Sequence, residues 1–342
     1  DGSPLSGDQP LTPTLKAPDG RPIYNQTGRN TYKGGLYNQG GGERDVISLA
    51  FSRFFNDGDG SFTIGYTHQD IDELSGMAST TANSSYGKYA ASDYNNRTAQ
   101  RSIYETEHRL FATLSSTHYF FGADKPTTFN LFFERKSGLP GTYSWDTYTS
   151  RNYGGTAYQR EAFGYEKNLN DDSSHLIYVP TGLTDPNVCW GSCNGAPDLA
   201  IANQVLEMLH NTLGLKSYAG QIVPNGVYEY PWQTTLDLKI TQILPGFRAE
   251  DEFVISLGIE NLLNLIDSNK GVIEYGPYNG KMAVLDMYMN DDFSKYIYPN
   301  YKGRGYPDWA YGFNQSNPKG IRKSAVNSIW RAQLGFTYKF SF

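Results

Sequence analysis

Residues 330–342 read WRAQLGFTYKFSF. Trp330, Ala332, Leu334, Phe336, Tyr338, Phe340 and Phe342 fall on one side of an extended chain, and Arg331, Gln333, Gly335, Thr337, Lys339 and Ser341 on the other. Such period-two alternation predicts a strand with one apolar and one polar face. It runs to the final residue, where chains usually fray, so this strand is expected to be held by partners.

The same alternation recurs upstream. VISLAFSRFF sets Ile47, Leu49 and Phe51 against Ser48, Ala50 and Ser52, and SFTIGYTHQ sets Phe62, Ile64, Tyr66 and His68 against Thr63, Gly65 and Thr67. HRLFATLSSTHYF, TTFNLFFER, TTLDLKITQI and EFVISLGIENLL behave alike, with Phe132 breaking the polar side of its segment. Seven strands are predicted, near 46–55, 61–72, 104–120, 127–137, 232–244, 252–264 and 328–342. Their connections alternate in length. NDGDG, GADKP and PGFRAED are short turns rich in Gly, Pro and Asp. The others run over about 73–103, 138–230 and 266–327. If the strands are antiparallel, all short turns lie at one end and all long loops at the other.

Composition agrees with an all-β reading. Only 38% of the 342 residues are apolar and 19% charged, both low for a soluble globular protein, while Gly (36) and Tyr (27) are abundant. The net charge of −6, with no basic cluster, argues against nucleic acid as a partner. No apolar run of about 18 residues is present, and the polar opening DGSPLSGDQP reads as a processed or internal start rather than a signal peptide.

Alternation also fits a half-buried soluble sheet. Three features favour a transmembrane antiparallel β-barrel with long extracellular loops. The strands are longer than the usual 5–6 residues and match the roughly 9–11 that a tilted membrane strand needs. One-sided short turns are the outer-membrane pattern. Phe54, Phe55, Tyr119, Phe120, Phe121, Phe247, Phe340 and Phe342 gather near the short-turn side, as an interfacial girdle would. The apolar stripes then meet outer-membrane lipid and the polar stripes a water-filled lumen. Single-chain bacterial barrels close with even numbers, so an odd count of seven means either one further strand without clear alternation or an incomplete ring. Residues 1–45 are expected to be an extracellular lead-in, and 46–342 the C-terminal portion of a larger barrel.

Six segments, in order, now bear on family: SIYETEHRLFATLSSTHYFFG, FERKSGLPGTYSW, HLIYVPTGLTDPNV, YPWQTTLDLKITQILPGF, FVISLGIENLLNLID and WRAQLGFTYKFSF. Together they resemble the C-terminal third of Oar-like TonB-dependent outer-membrane receptors, over roughly residues 45–342. The resemblance implies a barrel of about twenty-two strands, an N-terminal plug domain and a TonB box. It implies a Gram-negative outer-membrane receptor that binds a substrate at the cell surface and passes it inward with energy from the TonB complex. The plug, the TonB box and the remaining strands are expected outside these residues. The resemblance also makes Tyr338, Phe340 and Phe342 a C-terminal signal for the barrel-assembly machinery, with the C-terminus periplasmic. The alternative is a passive or structural barrel, porin-like or adhesin-like, whose loops bind partners.

No catalytic constellation appears. The five His are scattered, HExxH, GxSxG and Walker motifs are absent, and no enzyme activity or cofactor is expected. Arg109, Glu134, Asp237, Lys239, Glu260, Arg331 and Lys339 are expected on the lumen face, lining a transport path or forming a mutually paired polar wall. Tyr296, Tyr298, Tyr301, Tyr306, Trp309, Tyr311 and Phe313 crowd the third long loop, either to contact a sugar or peptide substrate or to pack the loops together. Asp171–Asp172 and Asp291–Asp292 are candidate loop calcium ligands, with solvated charge the alternative. Cys189 and Cys193 in CWGSC predict a local disulfide, against a zinc pair lacking further ligands or two free thiols. PDLAIANQVLEMLHNTLG predicts a helix in the second long loop, with Asp198 as N-cap, Gly214 as stop and Leu199, Leu206, Leu209 and Leu213 on one face.

Overall fold

Period-two alternation becomes seven long strands: β1 (Glu43–Phe55), β2 (Gly60–Glu73), β3 (His108–His118), β4 (Thr127–Lys136), β5 (Gln233–Pro245), β6 (Glu252–Glu260) and β7 (Arg331–Lys339). The structure is a computed structural model. It describes residues 15–23, 40–74, 80, 90–93, 96–146, 152–153, 156–157, 163, 175–248, 250–277, 280–290, 292–298, 317 and 319–340. The fold is all-β, with few helices, and among the described residues no helix is long and apolar enough to cross a membrane.

Each long strand pairs antiparallel with its chain neighbour, giving one sheet in the order β1 to β7. A short strand, Gln100–Arg101, adds to the end of β2. The register gathers most apolar side chains on one face and most polar ones on the other, with Arg53, Phe54, Phe111 and Phe132 as exceptions. One row reads Arg53, Phe62, Leu114, Leu131, Leu238, Ile259 and Ala332. The adjacent row, on the opposite face, reads Phe54, Ser61, Ser115, Asn130, Lys239, Gly258 and Gln333. A one-residue slip anywhere would exchange the two faces from that strand onwards. Among the described residues the outer edges of β1 and β7 are unpaired, and the sheet does not close on itself.

Strand ends depart from the alternation where side chains capture the backbone. The third strand begins at His108 rather than near 104 because Glu105 turns the chain, accepting from the Ile71 amide at 2.7 Å and Arg101 Nε at 2.5 Å. The sixth stops at Glu260, not near 264. Asn261 adopts φ 54°, a left-handed conformation that Asn tolerates. Its amide donates to Asp237 Oδ1 at 2.7 Å, and a short helix, Leu262–Ile266, follows. The seventh starts at Arg331 because Ala325–Ser328 forms a helical turn capped by Ser324.

Among the described residues nothing packs over the apolar face of the sheet. Leu49 is 70% exposed, Phe51 61%, Leu334 59% and Phe336 61%. The buried hydrophobic cluster lies in a cap at the long-loop end, and among the described residues no member comes from the seven strands. It draws on the hairpin at 15–23, on Ala91 in the first long loop, and on the second and third loops. Strand Pro140–Asp146 continues the β4 direction into the cap. It pairs antiparallel with His175–Leu176 and Tyr228–Glu229, and parallel with Lys281–Asp286. Val188–Trp190 pairs parallel with Tyr296–Tyr298. At the root of this stem a side chain on Gly138 would collide with the Tyr230 carbonyl, so the two chains approach closely only because Gly138 has no Cβ.

The expected helix is present as α1 (Leu199–Leu206), with Asp198 Oδ1 accepting from the Ala200 and Ile201 amides. It continues as a π-helical turn over Glu207–Thr212 before Gly214 at φ 71°. Ala202, Val205, Met208 and Leu209 are buried, whereas Leu199, expected on the buried face, is exposed.

One ion pair sits inside the cap. Arg21 Nη2 lies 2.6 Å from Asp19 Oδ2, with both side chains almost fully buried. Arg21 Nη1 donates to the Leu176 carbonyl at 2.7 Å, and the guanidinium stacks 4.6 Å over Trp145 and 4.8 Å over Phe163. Burial alone would raise the Asp19 carboxyl, but the charge and hydrogen bonds of Arg21 outweigh it and hold Asp19 below its ordinary value. A depressed carboxyl stabilises the fold above its unfolded pKa of about 4, and that stability is lost as pH falls further. We predict that Arg21→Ala, which strands a buried carboxylate, destabilises the cap by about 3–5 kcal/mol. Near-UV circular dichroism melts and limited proteolysis of the long loops should register it. The loss should be smaller in Arg21→Met/Asp19→Leu, which removes both charges.

Candidate functional site

The polar face of the sheet is the first candidate. Hydroxyl ladders cross it, with Ser48 bonded to Thr67 at 3.0 Å, Ser52 to Thr63 at 2.8 Å and Thr117 to Thr128 at 3.1 Å. Phe111 lies over Gly65, where a Cβ would strike its ring, and the Arg109 guanidinium lies 5.6 Å from the centroid of the same ring. An open hollow of about 450 Å³ is lined by residues that include Ser61, Thr113, Asn130, Phe132, Asp237 and Lys239.

All seven charges expected on one face share that face by register. Most have a counter-charge. Arg109 Nη2 lies 2.7 Å from Glu134, which also takes Lys136 at 3.4 Å. Arg331 approaches Glu260 at 3.7 Å and Lys339 approaches Glu252 at 3.0 Å. Asp237 caps the Asn261 amide, and Lys239 sits opposite Asn130 and Gly258. The arrangement is a compensated, hydrated wall. Among the described residues it holds no nucleophile–base pair and no convergent set of like charges.

The aromatic loop divides. Tyr296 and Tyr298, one candidate pair for substrate contact, are fully buried in the cap. The Tyr296 ring lies 4.8 Å from Trp145, and Tyr298 stacks on Trp190 at 5.7 Å and donates to the Tyr178 carbonyl at 3.0 Å. They pack the loops onto one another, and a ligand at the surface does not reach them. Tyr301, Tyr306, Trp309, Tyr311 and Phe313 lie outside the described residues. So does Phe342, while Tyr338 and Phe340 lie at the short-turn end, with Phe340 exposed.

Cys189 and Cys193 are joined by a disulfide. The bridge closes the turn between strand Val188–Trp190 and α1, beside the Trp190 indole, which donates to the Leu183 carbonyl at 2.9 Å. Of the acidic pairs considered for calcium, Asp171, Asp172 and Asp291 lie outside the described residues. Asp292 Oδ1 accepts from the amide and hydroxyl of Ser294, a local turn rather than an open ligand.

The sequence did not indicate that two of the scattered histidines meet. His68 and His108 lie directly opposite in the β2–β3 pairing. Only the register, counted from the long first loop, reveals it.

We predict that Cys189→Ser/Cys193→Ser lowers cap stability by about 2 kcal/mol, the chain-entropy value for so small a ring. The seven-strand sheet should be unchanged in amide hydrogen exchange, because the bridge contacts none of its strands.

Comparison of the chain with protein-family models, with curated proteins and with solved structures finds no match.

Proposed function

We propose that the sheet is part of a transmembrane β-barrel of the bacterial outer membrane. We further propose that the protein is the barrel portion of a TonB-dependent receptor, moving a substrate captured at the cell surface across that membrane. The observation that carries the reading is the uncovered apolar face. Seven strands present a continuous apolar stripe that no other described element covers, while the opposite face is polar, hollow and charge-compensated. Fully burying a Leu or Phe is worth about 1.5–3 kcal/mol. A stripe of this size facing water would be an association surface. Against hydrocarbon it is satisfied, and every backbone group must then be paired. A soluble sandwich would need a second sheet about 10 Å away on the apolar side, and the described residues supply none.

The other elements take places consistent with this. The cap lies outside the cell. The short turns, with exposed Phe54, Tyr119, Phe120, Phe121 and Phe247 beside them, lie at the periplasmic interface. The open edges of β1 and β7 pair with further strands of the barrel, since unpaired groups in lipid each cost several kcal/mol. Plug domain, TonB complex and barrel-assembly machinery are the partners this reading requires. Energy coupling rests on the family resemblance rather than on a feature of the sheet.

Two measurements test the proposal. Leu334→Arg places a charge at mid-depth on the apolar face and should destabilise the barrel by about 2–4 kcal/mol, whereas Gln333→Arg, on the polar face, should be tolerated. Equal tolerance in urea titrations of detergent-extracted protein would remove the membrane assignment. Surface plasmon resonance of the receptor isolated from its native membrane against the periplasmic domain of TonB addresses coupling. Saturable binding is expected, and its absence would leave a passive barrel whose loops bind partners.

A further inference from the structure

Of the five histidines, His68 and His108 form a three-ring stack at the cap end of the sheet. His68 lies 5.1 Å from His108, and His108 lies 5.9 Å from Trp232, with the last two rings almost parallel at 11°. Arg135 closes the stack from beyond, 5.4 Å over Trp232. The ring of His108 is therefore fixed on both faces. Glu107 precedes it, and Glu107 Oε1 lies 3.2 Å from His108 Nε2. Ligand atoms from His68, Glu107 and His108 all lie within 4.8 Å of one another.

The surroundings of each residue suit metal ligation more than a closed hydrogen-bond network. His68 Nδ1 is buried and has no hydrogen-bond partner. Unpartnered buried nitrogens are costly and uncommon. Glu107 Oε2 is held by Arg101 Nη2 at 2.8 Å, which leaves Oε1 facing the histidines. His108 Nδ1 meets the Tyr66 hydroxyl at 2.8 Å. In that position Tyr66 accepts from Nδ1–H once Nε2 is committed elsewhere, the outer contact that metal-binding histidines regularly make.

We propose that His68, Glu107 and His108 form a binding site for a divalent transition-metal ion, with Zn²⁺ as the best fit. Two imidazoles and one carboxylate are borderline donors suited to Zn²⁺ rather than to Ca²⁺ or Mg²⁺. With bonds of about 2.1 Å, the edge of a tetrahedron is about 3.4 Å. The Glu107–His108 separation already matches that edge, so only His68 has to close in. On metal entry the close contact between Nε2 and Oε1 is replaced by two ligand bonds. The His108 proton then sits on Nδ1 and is donated to Tyr66. Three protein ligands leave a fourth position for water. The site depends on the β2–β3 pairing and the lead into β3, and it stands whether or not the sheet spans a membrane.

Isothermal titration of the purified full chain, carrying no histidine tag, with Zn²⁺ tests the proposal, together with the visible absorption of Co²⁺ as a geometric probe. One Zn²⁺ per chain with a Kd below about 10 μM and a four-coordinate Co²⁺ spectrum are expected. His68→Gln and Glu107→Gln, both of similar size to the native side chains, should each weaken binding at least tenfold. Tyr66→Phe should weaken it about tenfold through His108 alone. His118→Ala, at the opposite end of β3, should leave it unchanged. Amide hydrogen exchange on β2 and β3 confirms that each variant keeps its pairing. Absence of saturable binding, or binding that survives both His68→Gln and Glu107→Gln in folded protein, would overturn the assignment.

Discussion

Cross-strand register is the constraint on which the rest of this structure depends. Six antiparallel pairings bring seven alternating segments into phase, so that Leu114, Leu131, Leu238 and Ile259 share one row and Ser115, Asn130, Lys239 and Gly258 the next. No single pairing defines the faces. The apolar stripe exists because every pairing agrees, and the compensated charges Arg109–Glu134 and Lys339–Glu252 meet only in that phase. The same register places His68 opposite His108.

The molecule divides its stabilisation between two unlike regions. The cap is an ordinary interior, with Trp145, Trp190, Tyr143, Tyr296 and Tyr298 packed around a buried ion pair. Trp190 and Tyr298 donate to the carbonyls of Leu183 and Tyr178. The sheet, among the described residues, has no interior and relies on ladder hydrogen bonds and on whatever medium meets its apolar face. In the proposed barrel that medium is lipid.

The sheet was largely legible in the sequence because its signal is local. Thirteen residues from Trp330 to Phe342 suffice to show alternation, and short turns bearing Asp and Gly mark the hairpins. Strand ends were less legible, since Glu105 and Asn261 act through side-chain contacts to strands far away in the chain. The cap was least legible. Tyr296–Tyr298 reads as a polar-aromatic loop, yet it is a three-residue strand buried by a parallel partner 108 residues upstream. No local periodicity encodes such a pairing. The helix was found from Asp198 and Gly214, but Leu199, its first residue, is exposed and the chain continues from Leu206 as a π turn. The disulfide pair is close in sequence, whereas the histidine pair needs a register that only the folded sheet supplies.

The alternation of short and long connections has a consequence for the order in which the protein assembles. Hairpins β1–β2, β3–β4 and β5–β6 are closed by turns of a few residues and can form on the microsecond scale of isolated hairpins. Joining β4 to β5 instead closes a loop spanning residues 137–232, whose entropy must be met before any ladder bond repays it. The cap comes later still, because the parallel pairs Pro140–Asp146 with Lys281–Asp286 and Val188–Trp190 with Tyr296–Tyr298 require the second and third loops together. Non-local pairings of this kind fold slowly. The cap therefore acts as a late clasp: it locks three preformed hairpins into one phase and can close only after that phase is correct.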